Sequence, residues 1–382
     1  MRFITADKIF DGSGYLASGT VLVLNPQNLL MDILDPGQIE VNRIQHFSDL
    51  LCPGFVNVHC HLELSHLKGL IPRNTGLSGF ARSLISKRGI AAPEERLEYM
   101  KEADQMLWKN GIVAVGDISN NSESLSVKCD SKIHYHTFVE LIGLQAVNAS
   151  AIFDKGKELR NVFKRDGLAG SLVPHAPYSV SSELAALISA EAVLSQAPIC
   201  IHNQESAAEL QFFMDKSGNI NDLYAFLGLD ISFFKAPGSS SLQVFDKLLQ
   251  SRPRTFVHST FSTRDDIQQA ANANTFWCFC PKANLYIEGV LPDFSLFPAE
   301  TICFGTDSLA SNDELNLCSE LTAMRSAAAC FDDLQLLKAL TSNGARALGL
   351  QEDCGRLVKN KNTGLNHIKI NKEAYHFINK VA

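Results

Sequence analysis

The chain has 382 residues, 46% of them hydrophobic, with 34 Lys+Arg against 41 Asp+Glu and a formal net charge of −7. That length carries one large domain with an appendage or two medium ones, and it buries enough core to fold without a disulfide or metal staple. The mild acidity, with no basic face, argues against nucleic acid or an anionic membrane as partner, and 23 phenylalanines in recurring apolar runs exclude disorder.

In chain order, the first ~50 residues read as short β segments broken by turns, at residues 4–10 before Asp11-Gly12-Ser13-Gly14 and at 19–24 before Asn25-Pro26. From Pro53 to about Leu348, apolar strand runs alternate with helical stretches. The strands are predicted at 55–61, 112–119, 133–141, 170–175, 198–203, 254–259, 275–280 and 301–307, with helices between them at 94–110, 181–194, 206–213 and 313–329. Near-continuous apolar strands alternating with helices imply a parallel sheet covered on both faces, and eight such units imply a closed (β/α)8 barrel of the TIM type. An open doubly wound sheet is the alternative, but no glycine-rich phosphate-binding loop follows any strand. β texture returns at 355–358 and 367–370, so both chain ends are predicted to build one small β-sandwich domain (1–50 plus 350–382) beside a barrel domain (51–349).

No apolar run reaches the ~18 residues of a membrane span, and residues 1–7 lack the basic-then-apolar pattern of a signal peptide. Of ten cysteines, Cys52, Cys60, Cys200, Cys278, Cys280 and Cys303 lie in apolar runs and no two are spaced C-x-x-C. Buried free thiols and a cytoplasmic protein are expected.

His59-Cys60-His61 closes the first barrel strand. Alternation along a strand puts Asn57, His59 and His61 on one side and Val56, Val58 and Cys60 on the other. The apolar set suits helix packing, which aims both imidazoles into the barrel mouth, where two can grip one divalent ion. A second H-x-H, His134-Tyr135-His136, comes early in its strand and is expected to be structural, while Glu140 reaches the equivalent end. His202, Glu205, His258 and Asp307 stand at or just beyond three further strand ends. Glu205 is placed at the start of the next helix, one turn from His202. Taken singly, Glu205 and Asp307 could be capping residues. Together, three imidazoles and a carboxylate converging at the mouth leave a coordination position open for water, as catalytic sites do.

Residues 53–63 resemble the first-strand motif of the amidohydrolase superfamily. Further matches are His175-Ala176-Pro177-Tyr178-Ser179, His202-Asn203-Gln204-Glu205, His258, Cys280-Pro281-Lys282-Ala283-Asn284 and Gly305-Thr306-Asp307-Ser308 through Asn312. The set is similar to the branch of metal-dependent aminohydrolases and chlorohydrolases that holds guanine, adenosine-type and aminodeoxyfutalosine deaminases. The resemblance implies that His59, His61, His202 and Asp307 bind one divalent ion, Zn²⁺ or else Fe²⁺. It also implies that Glu205 shuttles protons, that His258 orients the nucleophile or substrate, and that Glu63, His175 and Asn284 face the substrate. The fourth strand lacks the Lys that bridges two metals in binuclear relatives, which favours one ion. The implied reaction is hydrolytic deamination of a purine, nucleoside or aminodeoxyfutalosine-like ring, in which the cation lowers the pKa of water toward ~7, hydroxide attacks the ring carbon, and Glu205 protonates ring nitrogen and leaving ammonia.

Arg73 and Lys68, on the loop after the first strand, are candidates to pair with an anionic substrate group. Alternatives for the same site are a chlorohydrolase, a cyclic-amide hydrolase and a catalytically silent scaffold. The cytidine-deaminase architecture is excluded, because His61-Leu62-Glu63 has no downstream P-C-x-x-C. The expected partner is a small-molecule substrate, with no nucleic acid or membrane; a homodimer is left open.

Overall fold

The computed structural model describes residues 1–251, 253–372 and 374–382. Fourteen strands run β1 (Arg2–Ile9), β2 (Val21–Leu24), β3 (Leu30–Leu34), β4 (Ile44–Pro53), β5 (Phe55–Cys60), β6 (Ile112–Ser119), β7 (His134–Leu141), β8 (Ala169–Pro174), β9 (Ile199–Asn203), β10 (Arg254–His258), β11 (Thr275–Phe279), β12 (Ile302–Phe304), β13 (Leu365–Ile370) and β14 (Tyr375–Lys380).

β5 to β12 are the eight barrel strands. Parallel ladders join β5-β6-β7-β8 and β9-β10-β11-β12. The seams between these two arcs carry backbone bonds at the carboxyl ends. At one, the His202 N–H donates to the His175 carbonyl at 2.9 Å; at the other, Cys60 bridges Asp307, with the Asp307 N–H donating to the His59 carbonyl at 3.1 Å. Both seams therefore fall beside the residues singled out for chemistry. Every residue of β5, β9, β10, β11 and β12 is buried, as strands covered on both faces must be.

The small domain forms one continuous sheet of order β14-β13-β4-β1-β2-β3, not two stacked sheets. It bends until Leu30 of the edge strand exchanges backbone bonds with Asn360 and Lys361, enclosing Ile4, Ile9, Leu22, Leu24, Leu51 and Leu365 as a separate core. β4 carries this sheet to Pro53, and Gly54 turns the chain into the barrel. The Asn366 amide donates to the Gly111 carbonyl at 2.9 Å, where β6 begins.

Two further expectations change. Residues 355–358 form no strand; the second C-terminal strand is β14, which pairs with β13 alone. The helix expected over 313–329 spans only Leu317–Met324, because Asn312 and Asn316 spend their side chains on the turn and on the helix cap.

Behind the first strand's end lies a fully buried ion pair. Lys128 Nζ sits 2.7 Å from Asp117 Oδ2 and also donates to Ser119 and Thr137, while Asp117 Oδ1 accepts from the Leu62 N–H at 2.8 Å, next to His61. Lys128→Met should cost about 3–5 kcal/mol, since it leaves Asp117 buried and uncompensated. Urea unfolding checks this; an unchanged midpoint would contradict it.

Candidate metal centre

The strand ends bring the predicted residues together. His59 and His61 close β5, and their Nε2 atoms stand 3.0 Å apart. Asp307 Oδ1 lies 3.3 Å from His61 Nε2 and 3.6 Å from His59 Nε2. One donor atom each from His59, His202, His258 and Asp307 falls within 4.8 Å of the others, so the sixth-strand histidine joins the cluster directly. Gly305 makes this packing possible, because a Cβ there would come within 2.8 Å of His59.

Local backbone geometry marks the same place. Gln204, His258, Ser259 and Asp307 have φ of 44°, 68°, 49° and 53°, the left-handed region that non-glycine residues avoid. The conformation is held by neighbours: Ser259 N–H donates to Asn203, and Asn57 brackets Thr306 through its amide (2.8 Å to Oγ1) and its carbonyl (3.2 Å from the N–H). Strain of this kind persists where the surroundings over-determine it, as they do at sites of chemistry.

Hydrogen bonding assigns the ring tautomers. His202 Nδ1 donates to the His175 carbonyl at 2.9 Å, and His258 Nδ1 donates to Asn284 Oδ1 at 2.8 Å. Each therefore keeps its lone pair on Nε2, and His258 Nε2 is buried with no partner. Pairing of a ligand's other ring nitrogen with a carbonyl is what cation-binding histidines require. Burial pushes His59 down to about 4 and His202 well below its ordinary value, which keeps both rings neutral. Against its burial, Asp307 is held well below the usual carboxylate range by His59 and His61, and its Oδ2 accepts from Ser311. His61 goes the other way, raised by Asp307 against its own burial. Two imidazoles held neutral, a third paired with the Asp307 carboxylate, and the buried His258 Nε2 lone pair are a donor set that fits one divalent cation.

Glu205 is buried, with Oε1 3.6 Å from His258 Nε2. It precedes the next helix instead of starting it: Ser206 is the cap, accepting from the Glu209 N–H. Burial, then the charges of Asp307 and Glu288, push the Glu205 carboxyl well above its ordinary value.

A cavity of about 480 Å³ opens over this centre, with His61, His175, His202, Glu205, His258 and Asp307 in its wall. Leu77, Phe80, Leu84, Leu223, Leu227 and Ile231 also line it and make much of its wall apolar.

Three expected substrate contacts lie outside that wall. Glu63 is engaged by the Asn120 and Asn121 N–H groups and latches the loop after β6. Asn284 orients His258. Arg73 spends its fork on Asp313, at 2.6 and 2.8 Å, and lies over the Tyr286 ring. His175 does line the cavity. Arg88 and Glu140 also line it and were not predicted as site residues; Glu140, the lone charge in β7, was the available signal. His134 and His136 stay structural: His134 is exposed, and His136 is buried against Ser171 at 2.9 Å.

All ten cysteines are unpaired, and no helix among the described residues is long and apolar enough to cross a membrane.

Known proteins resemble this chain in sequence and in fold. An adenosine deaminase of Helicobacter pylori is 27% identical over 339 residues, covering 85% of this chain and 80% of that protein. An aminodeoxyfutalosine deaminase of Deinococcus radiodurans is 28% identical over 371 residues, covering 91% and 86%. Among solved structures, Helicobacter pylori aminofutalosine deaminase in complex with methylthio-coformycin has a TM-score of 0.80 at 24% identity, covering 100% of both chains. Atrazine chlorohydrolase from Arthrobacter aurescens, complexed with zinc, has a TM-score of 0.74 at 16% identity, covering 96% of this chain and 86% of that one. At those identities the structures share the fold. The model of the Amidohydrolase family matches residues 50–373, and the chain belongs to that family.

Proposed function

We propose that this protein is a metal-dependent hydrolytic deaminase of an aminated heteroaromatic of the purine or nucleoside type, converting ring C–NH2 and water to ring C=O and ammonia. The observation that carries the reading is the meeting of His59, His202, His258 and Asp307, with His61 against His59 and Asp307, and of the buried Glu205 beside them, at a cavity that His61, His202, Glu205, His258 and Asp307 line. Deaminases among the relatives support it.

His59, His61, His202 and Asp307 would hold the ion; imidazole-rich donor sets suit Zn²⁺, with Fe²⁺ the alternative. The ion supplies a Lewis acid that makes water nucleophilic at neutral pH. The side chains do the rest. Asp307, with Oδ2 fixed by Ser311, turns Oδ1 toward the ligand nitrogens and is placed to accept a proton from the attacking water. His258 offers a lone pair from Nε2 and so sets the direction of approach. Glu205 gives its proton to the ring nitrogen beside the attacked carbon; of the attacking water's two protons, one restores the Glu205 carboxyl and the other goes to the amine, which leaves as ammonia because it cannot leave as amide ion. The apolar part of the cavity wall excludes water from the substituent that follows the ring into the site. Ten free thiols support a cytoplasmic setting.

Metal-loaded protein incubated with aminopurines and their nucleosides should release ammonia and form the oxo heterocycle. Chloride release from a chlorotriazine, with no ammonia from any aminated ring, would assign the site to the chlorohydrolase reaction instead.

A further inference from the structure

The mechanism leaves Glu140, a buried charged group in the cavity wall, without a task. Glu140 ends β7 with its side chain 4% exposed, and it lines the cavity beside His175 and His202. Its orientation is fixed from behind. Asn120 Nδ2 donates to Glu140 Oε2 at 2.9 Å, while Arg88 donates to Asn120 Oδ1 at 3.3 Å, so the Asn120 amide cannot be reversed without losing both bonds. Glu140 Oε1 has no hydrogen-bond partner among the described residues. The nearby His202 Nδ1, 3.6 Å away, already gives its proton to the His175 carbonyl. A buried carboxylate oxygen left without a donor is costly, and such a group commonly waits for a ligand.

His175 shares the deficit. The Ser179 hydroxyl donates to the Ala176 carbonyl at 3.1 Å, so at 2.6 Å from His175 it accepts the Nδ1 proton. His175 Nε2 is then a second acceptor. A second cation would need a lone pair from each of Glu140, His175 and His202, which approach within 4.8 Å of one another. Outward-facing His202 Nδ1 has none to give, because it carries the proton donated to the carbonyl. Adjacent acceptors without donors call for hydroxyl groups on the ligand.

We propose that Glu140 is a specificity-determining residue, whose free Oε1 accepts a hydrogen bond from a hydroxyl on the substituent of the aminated ring. The site thereby takes a glycosylated heterocycle in preference to the bare base or a deoxygenated analogue. This deepens the deaminase reading and rests on it for the identity of the ring.

The test compares adenosine with 2′,3′-dideoxyadenosine on metal-loaded wild type, Glu140→Ala and Glu140→Gln. A hydrogen bond to a charged acceptor gives the wild type an expected preference of about 10- to 100-fold in kcat/KM for the hydroxylated compound. Glu140→Ala should bring that ratio to within about two-fold of unity, through loss on adenosine alone, with metal content unchanged. In Glu140→Gln the side-chain carbonyl is taken by Asn120 Nδ2, so an NH2 faces the cavity; the ratio should fall likewise even if the alanine variant folds poorly. Equal losses on both compounds, or a wild type indifferent to the hydroxyls, would overturn the assignment. Calorimetric binding of the two nucleosides gives the same ratio without turnover. Absence of ammonia with an intact binding preference would therefore sink the deaminase reading and leave Glu140 standing.

Discussion

Asp307→Ala is expected to leave no measurable turnover. The carboxylate has two separable jobs: Oδ1 faces His59 and His61, and Oδ2 is fastened by Ser311. Its removal takes away the one anionic donor of the predicted ligand set and the acceptor for the proton of attacking water. Forfeiting several kcal/mol of transition-state stabilisation corresponds to ~10³-fold or more in kcat. The turn itself should survive, since Thr306 is held by Asn57 and its carbonyl accepts from Asn312 at 2.9 Å. Circular dichroism should therefore be unchanged while metal content falls. A variant retaining a tenth of wild-type activity would show that the chemistry is elsewhere.

Glu205→Gln is expected to keep the metal and lose at least ~10² in kcat. The side chain is not one of the four proposed ligands, so its replacement should leave the ion in place. Glutamine matches its size but cannot release a proton, whereas burial beside Asp307 and Glu288 pushes the native carboxyl well above its ordinary value. Normal metal content with kcat down about a hundredfold or more separates proton transfer from ion binding. Near-normal turnover would remove Glu205 from the role.

The barrel was legible because strands covered on both faces are written as apolar runs; β5 to β12 fall within a few residues of the predicted runs. The residues that cluster at the barrel mouth stand out for the same reason. A histidine or aspartate ending such a run stands out against it and points to the barrel mouth. β14 was not legible: its alternation is mostly exposed, and it pairs with one neighbour only. The substrate contacts failed for a different cause. What Arg73 touches is decided by Asp313, what Glu63 touches by the backbone of Asn120 and Asn121, and what Asn284 touches by His258. Each partner is remote in sequence, so the direction of those side chains is a property of the folded chain and not of the local motif. Glu140 illustrates the converse. A single carboxylate among Phe138, Val139 and Leu141 was visible in the sequence, but its unpaired oxygen emerges only when Asn120 and His202 are in place.

The central claim is that four residues distant in sequence share one ion. Anomalous diffraction above the zinc edge, from crystals of protein loaded with Zn²⁺, tests it most directly. The account predicts a single strong peak enclosed by His59, His61, His202 and Asp307, with Glu205 and His258 alongside but the cavity side open. A peak bound by other residues, or fully loaded protein with no peak among these four, would contradict it.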